Sequence, residues 1–246
     1  MILRRLRLAQ HVREQNWFAV VIDTLIVIVG VVVGFQVTAW GNERANRAEE
    51  QDLLRGLQAE FTEVLADLDV QIGKHRRIER DVATILDALA EAERSGARFA
   101  TVADTTLAWA LVPTTTQFSQ GVLDGMLTTG RLGLIRDQEL RTALSEWAGV
   151  LADVTEDEVA SREIVMTQLE PTLWRRMSVH SFRRYALLTG ELAPFEAATT
   201  SEIPVDTEVV GVLATRRFWL QHLLREFERP QAEAQRVLGL LEQSLE

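Results

Sequence analysis

The chain has no cysteine, a single tyrosine and only five prolines among its 246 residues. Without cysteine, the sequence excludes a disulfide framework and any zinc site built on thiolates. The four histidines, His11, His75, His180 and His222, stand in no H-x-x-x-H or H-E-x-x-H arrangement. His222 and Glu226 lie one helical turn apart, but a single pair of this kind is common by chance. The sequence therefore predicts no metal site and no cofactor.

Sequence motifs for catalysis are also missing. The chain contains no phosphate-binding P-loop and no G-x-S-x-G nucleophile motif. The hydroxyl-rich stretch Thr114–Thr116 has no histidine beside it, which favours a loop or capping role. The acidic run 153–158 lacks the glycine and alternate spacing of a calcium-binding loop, so it predicts a solvated helix face. We assign no catalytic residue and expect that the protein is not an enzyme. A hydrolase with an unrecognised site is the least favoured alternative.

Lysine is almost absent, since Lys74 is the only one among 26 basic residues. The simplest interpretation is a GC-rich genome. The net charge of −10 is unevenly spread, because residues 1–16 carry +3 and residues 41–246 carry −12. Nucleic acids and anionic membrane surfaces both require a basic surface. The sequence therefore predicts no nucleic-acid partner and no docking of residues 41–246 flat on a membrane.

Charged residues are nearly absent from residues 17–40, which read WFAVVIDTLIVIVGVVVGFQVTAW. A hydrocarbon core of roughly 30 Å requires about 20 apolar residues in a helix. Trp17 and Trp40 bound the stretch, and tryptophan favours membrane interfaces. The sequence predicts a transmembrane helix over 17–40 whose side chains contact the lipid bilayer. A cleaved signal peptide is the alternative, but the apolar run is longer than the usual 7–15 residues of such peptides.

The arginines on either side of this span predict its orientation. Four precede it within residues 1–16, and Arg44, Arg47 and Arg55 follow it. Cytoplasmic segments carry the excess of basic residues. Residues 1–16 are thus expected to form a cytoplasmic amphipathic tail, with the N-terminus in the cytoplasm. The C-terminal domain would then be periplasmic, and the protein would reside in a bacterial inner membrane.

One face of the span carries an acidic residue and two glycines. Asp23, Gly30 and Gly34 fall within about 20° of one line along a helix, and Val27 flanks it. Gly30 and Gly34 form a G-x-x-x-G motif, which permits close approach of two helices. Inserting a carboxyl group into the hydrocarbon core costs about 2.5–3.5 kcal/mol on insertion scales, so such a group usually faces water or a partner. Asp23 could reach water at the inner headgroups, bond across a helix–helix interface, or line a proton or ion pathway.

Gln36 and Thr38 are further polar groups that could make contacts within the membrane. Gln36 lies roughly opposite Asp23 on the helix. A dimer that uses one face would leave Gln36 in lipid, so a larger homo-oligomer or a second membrane partner is also possible.

A heptad repeat follows the span and predicts a stalk or coiled-coil helix over residues 41–96. Nine of its eleven seam positions are apolar, with Gln71 and His75 as the interruptions. We interpret His75 as a tolerated core residue. The helix is expected to continue directly from the span and to end near Ser95-Gly96. The seam positions are Leu54, Leu57, Phe61, Val64, Leu68, Gln71, His75, Ile78, Val82, Ile85 and Leu89.

Residues 97–246 are predicted to complete a helical bundle, so the expected fold class is all-α. Almost no stretch alternates with the period of two that is typical of strands. Asp137 is predicted to cap a long helix and Pro171 to kink or restart it. The predicted helices are Thr101–Val112, Phe118–Thr129, a segment from Asp137 to Pro171 and a segment from Asp206 to Leu245 bent at Pro230; Arg131–Arg136 is expected to be extended and 190–206 a loop.

Arg175, Arg176, Arg183 and Arg184 form the basic cluster of the C-terminal region, beside a tryptophan and a tyrosine. The cluster could bind an anionic ligand or a carboxylate of a partner. Alternatively, the cluster could pair with acidic residues of the protein itself, and we favour this interpretation.

Two stretches resemble an uncharacterised family of bacterial single-span membrane proteins. The residues Asp23, Gly30, Gln36 and Trp40, with Asn42-Glu43-Arg44 behind them, are similar to the acidic anchor and Trp-Asn-Glu-type exit of that family. Residues 118–147 are similar to its pattern of an aromatic residue, a small-residue helix, a Gly-x-Leu turn and an Asn/Asp-x-x-Leu-Arg start of the next helix. Here Gly41 interrupts the Trp-Asn pair. The resemblance implies a membrane anchor and a helical extracytoplasmic domain, and it brings no established activity.

These features together predict a membrane-anchored helical interaction, sensor or scaffold protein. It would self-associate and bind an unknown protein partner or ligand outside the cytoplasm. The alternative is a homo-oligomeric channel or a proton-coupled membrane subunit with Asp23 in the path.

Overall fold

The structure, a computed structural model, describes residues 17–116, 118, 120–177 and 200–245. It is predominantly helical with a two-stranded sheet, which confirms the predicted all-α class. The helices are α1 (Trp17–Arg94), α2 (Asp104–Ala110), α3 (Gly121–Thr129), α4 (Gln138–Ile164), α5 (Glu170–Arg176), α6 (Thr207–Glu226) and α7 (Glu228–Leu245). The strands are β1 (Phe99–Ala103) and β2 (Thr200–Pro204).

Helix α1 is continuous over 78 residues, so the apolar segment runs without a break into the heptad helix, as predicted. The sequence contains no proline before Pro113, and proline is the residue that most strongly interrupts a helix. The helix ends at Arg94. Gly96 adopts a left-handed φ of 72°, and the amide of Ala97 donates to the carbonyl of Ala92 at 2.8 Å. This is the glycine cap expected near Ser95-Gly96.

The chain divides into two compact units, of which the first ends at Asp52. Within the first unit, the described part of α1 contains a segment that is long and apolar enough to cross a membrane. All side chains from Val20 to Val37 are exposed, although most of them are large and apolar. A contiguous exposed apolar surface of this kind is unfavourable in water.

The second unit, from Leu53 to Glu246, buries two clusters of apolar side chains. One cluster joins the 54–72 part of α1 to α3, α4, α6 and α7, and Trp147 is its largest fully buried side chain. The other joins the 78–92 part of α1 to β1, α2, α5, β2 and α6. All nine apolar seam positions of the heptad are buried. The seam therefore packs against helices of the same chain as a bundle helix.

Two strands form where the sequence predicted a helix start and part of a loop. The helix start at Thr101 is wrong, and the loop predicted for 190–206 is wrong at Thr200–Pro204, while residues 190–199 of that prediction lie outside the described residues. β1 and β2 pair in antiparallel register, with Phe99 opposite Pro204 and Thr101 opposite Glu202. Burial alternates along each strand, with Ala100, Val102 and Ile203 inside. Only two residues of each strand face inward, which is too few for a period of two to be recognised in the sequence.

Residues 131–176 are more continuously helical than the sequence indicated. The stretch predicted to be extended begins with a 3₁₀ turn, Arg131–Leu134. Asp137 caps α4 as predicted, accepting a hydrogen bond from the amide of Leu140 at 2.8 Å. A π-helical segment, Val165–Leu169, then connects α4 to α5, and Pro171 lies in the first turn of α5. Proline has no amide hydrogen to donate, and it follows the π-helical segment, where the amide of Glu170 already bonds to the carbonyl of Val165 instead of following the regular α-helical pattern.

Candidate functional site

The predicted helix-association face lies on the apolar segment of α1. Asp23, Val27, Gly30 and Gly34 are all exposed. A Cβ atom added at either glycine would have no heavy atom within 4 Å. The face is therefore a shallow strip along which another helix could approach closely.

The other predicted membrane residues differ in how their polar groups are used. Gln36 is exposed. The hydroxyl of Thr38 donates to the carbonyl of Gly34 at 3.0 Å, so its hydrogen-bonding capacity is partly satisfied within α1. Trp17 is the first residue of α1. Trp40 is 66% exposed, and the guanidinium of Arg44 lies 5.9 Å from the centroid of its ring. A cation at this distance from an indole is a favourable cation–π arrangement.

Two members of the arginine cluster pair with acidic residues at the start of α6. Arg175 donates to Glu208 at 3.2 Å, and Arg176 donates to both Asp206 and Glu208. Asp206 also accepts the amide of Glu208 at 2.8 Å, so it caps α6 while it pairs with Arg176. These pairs correspond to the second interpretation of the cluster, pairing within the protein. Arg183 and Arg184 lie outside the described residues.

A group of buried polar side chains, which we term the polar layer, occupies the interior of the second unit. Its members are His75 of α1, Thr114 and Thr116 of the connection between α2 and α3, Glu158 of α4 and Arg216 of α6. None is more than 9% exposed. Buried polar groups are generally satisfied by hydrogen bonds, and this layer makes its hydrogen bonds between separate elements. The exception is Nε of Arg216, which is buried without a hydrogen-bond partner among the described residues.

The hydrogen bonds of His75 fix its tautomer. Nδ1 lies 2.8 Å from the carbonyl oxygen of Gln71, which can only accept, so Nδ1 carries the proton. Nε2 then accepts from the hydroxyl of Thr114 at 2.8 Å. Burial lowers the pKa of His75 from 6.5 to about 4, which agrees with a neutral imidazole. His75 is thus a satisfied core histidine.

Glu158 is held by the connection that follows α2. Its Oε2 accepts the backbone amide of Thr116 at 2.7 Å and its Oε1 accepts the Thr116 hydroxyl at 2.6 Å. Oε1 is also 3.5 Å from Nε2 of His75. Burial raises the pKa of Glu158, against the opposing effect of the two hydrogen bonds from Thr116. The prediction that the acidic run is a solvated helix face is therefore wrong at Glu158, which is 1% exposed.

Arg216 joins two other elements through its planar guanidinium. Nη1 donates to the carbonyl and to the hydroxyl of Ser161 in α4, at 2.9 and 2.5 Å. Nη2 donates to the carbonyl of Val112 at 3.1 Å. Burial lowers the pKa of Arg216 to about 10, so the group is still charged at neutral pH. The layer suits holding helices in register better than acting on a substrate, because all of its members are buried.

A sequence signal for two of these residues existed. Arg216 interrupts the buried stripe of Val209, Leu213, Leu220 and Leu223. Glu158 interrupts the corresponding stripe of α4 between Val154 and Ile164. A charged residue at a core position of an otherwise apolar stripe predicts a buried partner.

Comparison with family models, with curated proteins and with solved structures finds no match to this chain.

Proposed function

We propose that this protein is a membrane-anchored helical scaffold that self-associates through the face of Asp23, Val27, Gly30 and Gly34. One observation carries the proposal. The acidic residue and both glycines lie on one exposed, uncrowded strip of the segment that is apolar enough to span a membrane.

The physical reason for association is the combined chemistry of that strip. In lipid, packing and hydrogen bonds drive helices together, because the surrounding chains are as apolar as the helix. Two glycines one turn apart allow the backbones to approach closely. Placing the carboxyl of Asp23 in lipid costs free energy, and a hydrogen bond to a second helix offsets much of that cost. Both effects favour a second copy of the same face.

The charge distribution supports the topology that we propose. The arginines of residues 1–16 would remain in the cytoplasm, and the acidic residues 41–246 would lie in the periplasm of a bacterial inner membrane. The periplasmic bundle would act by binding an unknown protein partner or ligand. Protease digestion of spheroplasts tests this orientation, since cleavage of the bundle requires that it face outward.

The mass of the full-length protein in nanodiscs or detergent tests self-association. We expect a defined oligomer for the wild type and a monomer for Gly30→Leu/Gly34→Leu, because leucine would block the approach of the helices. The pair Val32→Leu/Ala39→Leu is the matched control, since it adds apolar bulk roughly opposite to Asp23. This control should retain the wild-type mass.

A monomeric wild type, or an equal loss of mass with both leucine pairs, would overturn the assembly role of this face. Asp23→Asn separates the scaffold from the channel alternative. For a scaffold, the substitution should weaken the oligomer while liposomes that contain the wild type pass no ion current. A current that disappears with Asp23→Asn would instead favour a channel.

A further inference from the structure

Three potential metal ligands meet between α4 and α6, outside the polar layer. Asp157 lies on α4, and His222 and Glu226 lie one turn apart on α6. Nε2 of His222 is 3.4 Å from a carboxylate oxygen of Asp157, and Nδ1 is 3.9 Å from a carboxylate oxygen of Glu226. One ligand atom from each residue can be chosen so that all three lie within 4.8 Å of one another.

The two carboxylates of this group face the histidine without a permanent cation. Among the residues that the structure describes, neither Asp157 nor Glu226 forms an ion pair with an arginine or lysine. Neighbouring acids behave differently, since Asp153 pairs with Arg229 at 2.8 Å. With a neutral imidazole, the group carries two negative charges that a divalent cation would balance.

The three ligand atoms lie close enough together to converge on one metal ion. Protein ligands of zinc lie about 2.0–2.2 Å from the ion in tetrahedral geometry, so their atoms lie roughly 3.3–3.6 Å from one another. Rotation of the side chains would bring the three atoms, now within 4.8 Å of one another, to this separation, with one ring nitrogen of His222 as ligand. The three side chains are between 25% and 39% exposed, which leaves them accessible while their backbones are fixed by packed helices. The ring of Trp219, 5.8 Å away and perpendicular, flanks the imidazole.

The geometry points to a divalent transition-metal site formed by Asp157, His222 and Glu226, with Zn²⁺ as the ion it fits best. One imidazole and two carboxylates are a borderline donor set, which zinc accepts readily and which magnesium and calcium, with their preference for oxygen, do not. The sequence did not predict this site, because Asp157 joins the two α6 residues only through folding. The bound ion would cross-link α4 to α6 and leave at least one coordination position open.

Calorimetric titration of the tag-free, EDTA-treated full-length protein with ZnCl₂ tests the site. We expect saturable binding of one Zn²⁺ per chain and a rise in the unfolding temperature, because the ion binds the folded state. His222→Gln and Asp157→Asn should each weaken the affinity by about tenfold or more, as expected for the loss of a ligand. Mg²⁺ at the same concentration should not compete.

Asp153→Asn is the matched control, since it removes an exposed carboxylate one turn before Asp157 on the same helix. It should leave zinc affinity unchanged. Circular dichroism verifies that each variant is folded, and the half-exposed positions make loss of folding unexpected. Absence of saturable binding, or equal affinity in His222→Gln and Asp153→Asn, would overturn the proposal. Neither result would bear on self-association through the membrane segment.

Discussion

The protonation of His75 illustrates how one buried side chain can make stability depend on pH. Its Nδ1 proton is donated to the carbonyl of Gln71 and its Nε2 accepts from Thr114, so a second proton on Nε2 would require the Thr114 hydroxyl to turn from donor to acceptor. Arg216 and Lys74 also oppose a positive charge there, whereas Glu158 lies 3.5 Å from Nε2. The native state thus favours the neutral ring.

We expect the wild type to lose stability as the pH falls from about 6.5 towards 4. The pKa of His75 is 6.5 in the unfolded chain and about 4 in the folded protein. Between these two pH values the unfolded chain therefore binds a proton that the folded chain does not. The full contribution is present above pH 6.5, and its size is on the order of 3 kcal/mol. Urea unfolding at several pH values in detergent and EDTA measures it.

The variant His75→Leu isolates the contribution of the histidine. Its stability should depend less on pH over this interval than that of the wild type, even if it is lower throughout. The raised pKa of Glu158 acts in the opposite sense, so the difference between the two proteins is the relevant quantity. Identical slopes for wild type and His75→Leu would contradict the assignment of a neutral native imidazole.

Among the elements, α3 depends on a cap that another helix supplies. Gln120, at its N-cap position, makes no side-chain capping bond. Instead, Glu60 of α1 accepts the amides of Val122 and Leu123, at 2.6 and 3.1 Å. A carboxylate near free amides at a helix N-terminus is stabilising both as an acceptor and through the helix dipole.

We expect Glu60→Ala to lower the free energy of unfolding by about 1–3 kcal/mol, because two first-turn amides lose their partner. Glu60→Gln should cost less, since the amide oxygen can still accept. Glu63→Ala, at an exposed position of the same helix, is the control and should change stability by less than about 0.5 kcal/mol. Urea unfolding compares the three. If Glu60→Ala matched Glu63→Ala, the interhelical cap would have no energetic role.

The elements that the sequence predicted correctly are those set by local chemistry. Asp137 and Asp206 mark helix starts, and Gly96 and Gly130 mark ends with φ near 70°, because each acts on backbone groups within a few residues. The β1–β2 pairing was missed because it joins residues about 100 positions apart.

The candidate sites divide in the same way. The strip of Asp23, Gly30 and Gly34 follows from helical periodicity alone. The burial of Glu158 depends on Thr116, which lies in a different element. Neither this contact nor the approach of Asp157 to His222 is contained in any local pattern.

At the scale of the whole bundle, the polar layer marks the change from one apolar cluster to the other. Along α1, His75 separates Ile72 of the first cluster from Ile78 of the second. Apolar contacts tolerate sliding of helices, whereas hydrogen bonds with fixed directions do not. We therefore expect the layer to determine the register of α1, α4 and α6, and Arg216 is its most connected member.

The adjacent arginines of α6 provide a matched test of this role. Arg216 is buried and donates to both Ser161 and Val112, whereas Arg217 is partly exposed and pairs with Glu79 at 2.9 Å. Arg216→Lys keeps the charge but cannot reproduce a planar fork that reaches two elements. We expect it to lower the free energy of unfolding by about 1–3 kcal/mol, because a buried acceptor loses its donor.

Arg217→Lys makes the same chemical change beside a partly solvated ion pair and should cost less than about 0.5 kcal/mol. Urea unfolding of both variants in detergent at pH 7 measures the difference. Equal effects would mean that charge alone, independent of the guanidinium geometry, satisfies the interior. Neither substitution changes the apolar side chains of the two clusters. A large effect confined to Arg216→Lys would therefore mean that the polar layer determines the register of the helices.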